Sequence, residues 1–237
     1  IVRRARNLCP PPEVALQVIE LARDPNIDIP SLARHIELDP TLTAQLLRTV
    51  NGAQFGLSVH VNSVAKAVSL LGLKSLRLLT TAFGMLSPFS VNLPRALYQL
   101  YWRRSLTVAL AARELALTST DDSCLAFTAG LLSEIGVLAL AQVEGPTYHA
   151  MYQELQAKPM ELIAAENLSF GTDHVRVGGL ILGNFGLESQ IVQAILSLNE
   201  PDTSPARSLS PLAGLLAMAQ ELTGLLTLRH RDQWSRF

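Results

Sequence analysis

Two polar residues, Ser133 and Glu134, lie in the middle of a strongly apolar stretch between two glycines. A carboxylate such as Glu134 inside an interior helix needs a partner, because moving an unpaired charge out of water costs several kcal/mol. Gly130 and Gly136 carry no side chain, so neighbouring backbone can approach this segment closely. We therefore expect Glu134 to be paired inside the protein, within one apolar helix that continues through Leu140.

Few other side chains have the types and spacing that catalysis needs. His174 follows Asp173, and a histidine hydrogen-bonded to backbone or carboxylate at the start of a helix is favoured over a general base. Cys124 has no histidine at a usable spacing, which favours a small buried residue over a nucleophile. The other histidines that show no ligand spacing are His35, His60 and His149. We expect no catalytic residue among these side chains.

The elements that position these residues are predicted to be helices. Apolar residues recur at spacings of three and four, and alternating runs between glycine-rich turns are absent, which predicts an all-α fold. Asp39-Pro40 is typical of a helix start, and Asn51-Gly52 and Gly72 are typical of helix ends. The stretch 87–92 is the predicted boundary between lobes. The predicted parts are an N-terminal helical lobe, a second helical lobe and a tail, at 1–90, 91–228 and 229–237.

Further helix starts are predicted from proline and capping residues. They lie at Pro11-Pro12, Ser31, Ser63, Pro94, Asp121-Asp122-Ser123, Pro159, Thr172 and Ser210-Pro211. The last of these helices is expected to pack through Leu212, Leu215, Leu216, Ala219 and Leu222.

Composition narrows the classes of protein. The 237 residues carry a net charge of −1, which disfavours general attraction to nucleic acid or anionic lipid. Residues 1–90 have nine Lys/Arg and six Asp/Glu, a net of +3, and residues 91–237 have ten and fourteen, a net of −4. Cys9 and Cys124 are too few for a disulfide framework. We find no signal peptide and no uninterrupted apolar run of about 18–20 residues, so a cytoplasmic protein is expected.

Six short motifs follow one another along the chain. They are Asp39-Pro40-x-Leu42-Thr43, Asn51-Gly52-Ala53-x-Phe55-Gly56, Ala67-x-x-x-Leu71-Gly72, Trp102-x-x-Ser105, Gly130-Leu131-Leu132-x-x-Ile135-Gly136 and Phe170-Gly171-Thr172-Asp173-His174-x-x-x-Gly178. In this order they resemble the HDOD domain, a bacterial relative of the HD phosphohydrolases. The resemblance implies an all-helical fold in which an N-terminal helical lobe packs on an HD-like bundle. It also implies a non-catalytic signalling or regulatory module, often fused to receiver or diguanylate cyclase domains.

The resemblance further implies that a metal site has been altered. Metal-binding relatives have a histidine where this chain has Arg104, and an adjacent His-Asp pair where it has Ser133 and Glu134. One histidine, His174, is kept. One imidazole and one carboxylate are too few for a catalytic cation, which a guanidinium would repel. The predicted site is therefore degenerate, with no metal and no cofactor, and consists of Arg104, Ser133, Glu134, Asp173, His174 and Asn199.

Three structural predictions accompany this site. If Arg104 and Glu134 occupy former ligand positions, the guanidinium replaces the cation and binds the carboxylate through its planar fork. Phe55 is expected to be buried, because a free loop does not need a large aromatic residue. Trp234 and Phe237 are expected either to dock onto a neighbour or a second copy, or to belong to a disordered tail.

The predicted function is a bacterial signal-transduction module that acts through contacts with other signalling proteins or fused domains. A second copy of the chain is a further candidate partner, and no membrane is expected. One alternative is a DNA-binding regulator, because residues 31–51 have the rhythm of a helix-turn-helix. Its second helix carries only one positive charge, Arg48, which disfavours nucleic acid. The other alternative is a metal-dependent phosphohydrolase.

Overall fold

The computed structural model describes residues 29–38, 40–52, 59–86, 89, 93–119, 122–184, 187–199 and 210–234. Every regular element within these ranges is helical, so the predicted all-α fold is confirmed. The predictions for Phe55, Phe237 and a helix at Pro11-Pro12 concern residues outside the described ranges. The chain divides into two compact units, one within Pro10–Val91 and one that extends from Asn92 onward.

Within its described residues, the first unit contains three helices that pack on one another. They are α1 (Ile29–Glu37), α2 (Pro40–Val50) and α3 (Val64–Leu86). Leu32 and Ile36 of α1 are fully buried, as predicted. Gly72 interrupts α3 with φ 79° and ψ 161°, a conformation that glycine adopts without strain. The predicted helix end at Gly72 is therefore confirmed, and a second helical segment follows directly.

Asn51 shows how the end of α2 is held. Its side-chain amide donates to the carbonyl oxygens of Leu47 and Val61, at 2.8 and 2.7 Å. Its side-chain oxygen accepts the backbone N–H of Val61 at 2.7 Å. The asparagine therefore ties the end of α2 to the segment that leads into α3, where Ser63 caps the helix by accepting the N–H of Lys66 at 3.2 Å.

The second unit contains eight helices and one short 3-10 turn within its described residues. They are α4 (Arg95–Leu117), α5 (Ser123–Leu132), α6 (Ile135–Glu144), α7 (Pro146–Leu155), α8 (Pro159–Phe170), α9 (His174–Asn184), α10 (Ser189–Leu196), the turn Ser197–Asn199 and α11 (Pro211–Trp234). Helix α4 packs along α5 and α11, and α6 packs along α9. These contacts bring α4, the α5–α6 junction and the start of α9 into one core.

The sequence predicted that Ser133 and Glu134 lie inside one continuous helix. This prediction is wrong, because both residues lie at the junction between α5 and α6. Glu134 has φ −109° and ψ 17°, outside the helical range. The Ser133 hydroxyl donates to the carbonyl oxygen of Gly130 at 2.9 Å, and its N–H makes a 3.4 Å bond to the same oxygen. Ser133 therefore closes the last turn of α5, and the chain changes direction at Glu134.

The two glycines that flank this junction allow close helix packing, as predicted. A Cβ atom on Gly130 would lie 2.7 Å from Cα of Ala109 in α4. A Cβ atom on Gly136 would collide with the carbonyl oxygen of His174 and lie 2.7 Å from the backbone nitrogen of Gly178. Gly178 of α9 lies against Gly136 of α6. Because neither residue has a side chain, the backbones of the two helices can be in contact.

The segment Ser123–Glu144 is the one candidate membrane span within the described residues, by length and composition. It comprises α5 and α6 with the junction between them, and 94% of its 18-residue apolar window is buried inside the protein. Its N-cap is Asp122, whose carboxylate accepts the N–H groups of Cys124 and Leu125 at 3.0 Å. The apolar character of this segment is therefore explained by its place in the core.

Helix α11 differs from the sequence prediction in two respects. It continues to Trp234, whereas the second lobe was expected to end at residue 228. Leu222 is 44% exposed, so its predicted packing is wrong. Thr223 takes the inward position instead, and its hydroxyl donates to the carbonyl oxygen of Ala219 at 2.8 Å. An internal hydrogen bond to the preceding turn lets this polar residue occupy the buried side of the helix.

Candidate functional site

Arg104 of α4 and Glu134 of the α5–α6 junction form a buried ion pair. The Nε atom of Arg104 donates to both carboxylate oxygens, at 2.8 Å to Oε1 and 3.0 Å to Oε2. Only 5% and 3% of the two side chains are exposed. The predicted ion pair is present, but its geometry differs from the prediction, because a single nitrogen serves both oxygens in place of two nitrogens of the fork.

The charge of Arg104 is maintained by its partner. Burial alone lowers the pKa of the guanidinium, whereas the adjacent Glu134 charge raises it, and the net pKa lies above its ordinary value. A charged pair with little access to water stabilises the fold only while both members are present. The attraction between the two charges therefore connects α4 to the α5–α6 junction.

A second buried carboxylate, Glu166 of α8, organises the other half of the site. Its Oε2 atom accepts the backbone N–H of His174 at 2.9 Å and faces Nδ1 of the same residue at 2.7 Å. Its Oε1 atom accepts the hydroxyl of Tyr148 in α7 at 2.5 Å. Glu166 is fully buried, so three hydrogen bonds replace its lost hydration. This network joins α7, α8 and α9.

The ionisation of the network follows from its burial. For His174, burial lowers the pKa, but the Glu166 charge and hydrogen bond raise it, and the net pKa lies above the ordinary value of 6.5. For Tyr148, burial and then the Glu166 charge raise the pKa well above 10.0, so the hydroxyl stays protonated as a donor. The His174–Glu166 contact is consequently an ion pair whenever His174 is protonated, and it agrees with the predicted hydrogen bond from His174 to a carboxylate.

Glu166 was missed by the sequence analysis, although the chain carries a signal for it. Leu162, Ile163 and Glu166 share one face of α8 through spacings of three and four residues, and all three are buried. A charged residue on an otherwise apolar helix stripe indicates a buried partner. That partner could not be named from spacing, because Tyr148 lies on a different helix.

The remaining predicted site residues have local roles. Asp173, and not the predicted Thr172, caps α9, since its Oδ1 atom accepts the N–H of Arg176 at 2.9 Å. Its Oδ2 atom accepts the side-chain amide of Asn167 at 3.2 Å. Asn199 ends the 3-10 turn, and its side chain lies outside the described part of the structure.

The two ion pairs belong to one electrostatic region. After burial and Glu166, the charge of Glu134 is a further contribution that raises the pKa of both His174 and Tyr148. Among the described residues, no hydrogen bond joins the Arg104–Glu134 pair to the Glu166 network. Of the predicted residues, the structure thus pairs Arg104 with Glu134 directly and places His174 within range of the Glu134 charge.

The donor set of this region suits ion pairs better than a divalent cation. Among the residues that the structure describes, no group of three or more His, Cys, Asp or Glu side chains could hold a metal ion. Glu134 is bound to a guanidinium, which repels cations, and Nδ1 of His174 is turned towards Glu166. A metal would have to displace both partners, so these residues do not fit the metal of the HD hydrolases.

The helix α2, proposed as a DNA-reading helix, directs part of its polar surface inward. The hydroxyl of Thr43 donates to the carbonyl oxygen of Ile36 at 3.0 Å, and Thr49 is 9% exposed. Arg48 is exposed. Two polar side chains of α2 are therefore engaged in the fold, and DNA binding stays the alternative that the sequence offered.

We predict that the His174–Glu166 pair makes stability fall as pH rises. The folded-state pKa of His174 is raised, so its contribution is complete below 6.5 and is lost as pH rises through the folded pKa. Between these values the free energy of unfolding should fall by about 1.4 kcal/mol per pH unit. Urea unfolding from pH 5 to 9 measures this slope, which Glu166→Gln should flatten. An NMR titration that places the pKa of His174 below 6.5 would contradict the interpretation.

Comparisons with known proteins agree with this architecture. The profile of the HDOD domain matches residues 8–201. An HDOD domain protein of Geobacter sulfurreducens is 23% identical, with a TM-score of 0.74, and the match covers 93% of this chain and 76% of that one. A candidate phosphohydrolase of Shewanella amazonensis is 23% identical, with a TM-score of 0.72 and coverage of 99% and 81%.

A third solved structure is a candidate signal transduction protein of Marinobacter aquaeolei. It is 25% identical, with a TM-score of 0.68, over 92% of this chain and 49% of that protein. The chain also spans 42% of the length of a curated relative from Treponema pallidum, with 22% identity over 240 residues. The profile match covers most of the chain, and the helical order agrees with it: the chain belongs to the HDOD family.

Proposed function

We propose that this HDOD domain is a non-catalytic regulatory module of the bacterial cytoplasm that acts through contacts with other proteins or with fused domains. Its HD-like unit serves as a rigid helical scaffold held by ion pairs, and it turns over no substrate. The Arg104–Glu134 pair carries this proposal, because a buried guanidinium stands at the position where the family resemblance places a metal-ligating histidine.

Two observations support action by protein contact. The similar Marinobacter aquaeolei protein is named for signal transduction, and this chain covers 49% of it, so the same fold occurs there within a longer protein. On the exposed side of α11, apolar residues recur at spacings of three and four, so they lie on one face of the helix. Its members, each between 44% and 60% exposed, are Met218, Leu222, Leu225 and Leu226. Such a face on the surface is typical of interaction sites.

Metal content and turnover test the proposal together. We expect the purified chain to contain far less than one equivalent of iron, manganese or zinc by elemental analysis. We also expect no hydrolysis of phosphate mono- or diesters when these metals are added. The reason is that a cation would have to break two buried ion pairs before it could bind.

A matched variant shows whether the assay would detect a restored site. The triple change Arg104→His, Ser133→His and Glu134→Asp introduces the ligands of the metal-binding relatives at the corresponding positions. Stoichiometric metal in the unmodified chain, together with turnover that disappears on chelation, would refute the non-catalytic function. Metal that binds to the triple variant but not to the unmodified chain would support the non-catalytic function.

A further inference from the structure

The buried ion pair leaves two polar atoms unused. Nη1 of Arg104 and the hydroxyl oxygen of Tyr152 in α7 are both buried and have no hydrogen-bond partner among the described residues. Arg104 is 6% exposed and Tyr152 is fully buried. A buried polar atom without a partner costs about 1–3 kcal/mol, and native proteins rarely tolerate two in one place.

The two atoms belong to the same neighbourhood as Glu134. Nε of Arg104 is bound to the Glu134 carboxylate, which fixes the guanidinium at the α5–α6 junction. Burial raises the pKa of the Tyr152 hydroxyl, the charge of Glu134 raises it further, and the charge of Arg104 lowers it. Tyr152 is held by stacking on Tyr148, with ring centroids 6.3 Å apart. Its hydroxyl therefore lies within electrostatic range of both members of the pair.

The chemistry of these groups selects their ligand. Nη1 can only donate, the Tyr152 hydroxyl can donate and accept, and each Glu134 oxygen keeps a second lone pair after accepting Nε. A ligand must therefore accept from Arg104 and donate to the carboxylate. The pair is neutral as a unit, so it attracts neither anion nor cation strongly. Water meets these requirements, and buried waters typically make about three hydrogen bonds.

We propose that one internal water molecule bridges the Arg104 guanidinium, the Tyr152 hydroxyl and the Glu134 carboxylate. It accepts from Nη1 and from Tyr152, and donates to Glu134. The water extends the ion pair from α4 and the α5–α6 junction to α7, so that three parts of the core share one polar centre. This inference does not depend on the proposed regulatory function.

A crystal structure that resolves ordered solvent, with a bromide soak, tests the water directly. We expect a single peak within hydrogen-bond distance of Nη1 and the Tyr152 hydroxyl, without anomalous signal from bromide. Direct pairing of both atoms with protein groups, or bromide at the peak, would overturn the proposal. A metal ion at the peak would overturn both the bridging water and the proposed function. Direct pairing of the two atoms with protein groups would overturn only the bridging water.

Thermal unfolding of Tyr152→Phe gives an independent test. If the hydroxyl binds water, its loss should lower Tm by about 2–4 °C, the shift that the loss of one buried hydrogen bond produces in a domain of this size. If the hydroxyl has no partner, removing it should leave Tm unchanged or raise it, and the proposal fails. Tyr98→Phe is the control, because its hydroxyl is also buried and has no partner in the described part of the chain, but its ring stacks on Trp102, with ring centroids 6.3 Å apart. The water peak should persist in Tyr98→Phe and disappear in Tyr152→Phe.

Discussion

Replacing Glu134 by leucine should lower the free energy of unfolding by about 3–5 kcal/mol, and Arg104→Met should cost a similar amount. In the intact pair, Nε of Arg104 lies 2.8 Å from Oε1 of Glu134. Each single change leaves one of these buried charges without its partner. The double variant should be more stable than either single variant, because it removes both charges from the core. Urea unfolding of the four proteins at constant pH measures the coupling between the two residues.

The exposed ion pair Lys158–Glu161 is the matched control for this cycle. Its atoms also lie 2.9 Å apart, but the side chains are 50% and 57% exposed. Solvent screens such a pair, so its removal should change stability by less than about 1 kcal/mol. Equal and additive costs for Arg104→Met and Glu134→Leu would show that the buried residues do not act as a pair.

Gly136→Ala should destabilise the protein by about 3 kcal/mol or more, although it adds a single methyl group. The new Cβ would collide with the carbonyl oxygen of His174 and lie 2.7 Å from the nitrogen of Gly178. Both atoms are backbone, which cannot move aside as a flexible side chain does. The separation of α6 and α9 must therefore increase, and the start of α9 must shift away from Glu166.

Gly214→Ala provides the control for this substitution. Gly214 lies in α11, and a Cβ there would have no atom within 4 Å. Alanine favours the helix by about 0.5–1 kcal/mol over glycine, so this variant should be slightly more stable than the parent. Chemical denaturation of both variants measures the difference. If Gly136→Ala were as stable as the parent, α6 and α9 could not be in backbone contact.

The local signals in the sequence determined much of the secondary structure. Pro40 begins α2 and Gly72 interrupts α3, as predicted from their types and positions, and Asp122, which caps α5, lies in the turn that was predicted to lead into that helix. Caps and glycine turns involve groups a few residues apart, so their energetics can be read from a short window of sequence. The resemblance to the HDOD domain supplied, in addition, the pairing of Arg104 with Glu134.

Only the tertiary structure decided how the polar core is arranged. The break at Glu134, which turned one predicted helix into α5 and α6, follows from packing against α4 and from the long-range bond to Arg104. Glu166 contacts His174, which lies eight residues later in the sequence, and Tyr148, which lies eighteen residues earlier. Helical spacing does not predict contacts between residues so far apart in the sequence. Hydrophobic periodicity identifies which helix faces are buried, but not which buried charges meet. That choice depends on the three-dimensional packing of α4, α7, α8 and α9, where each carboxylate must replace its lost hydration.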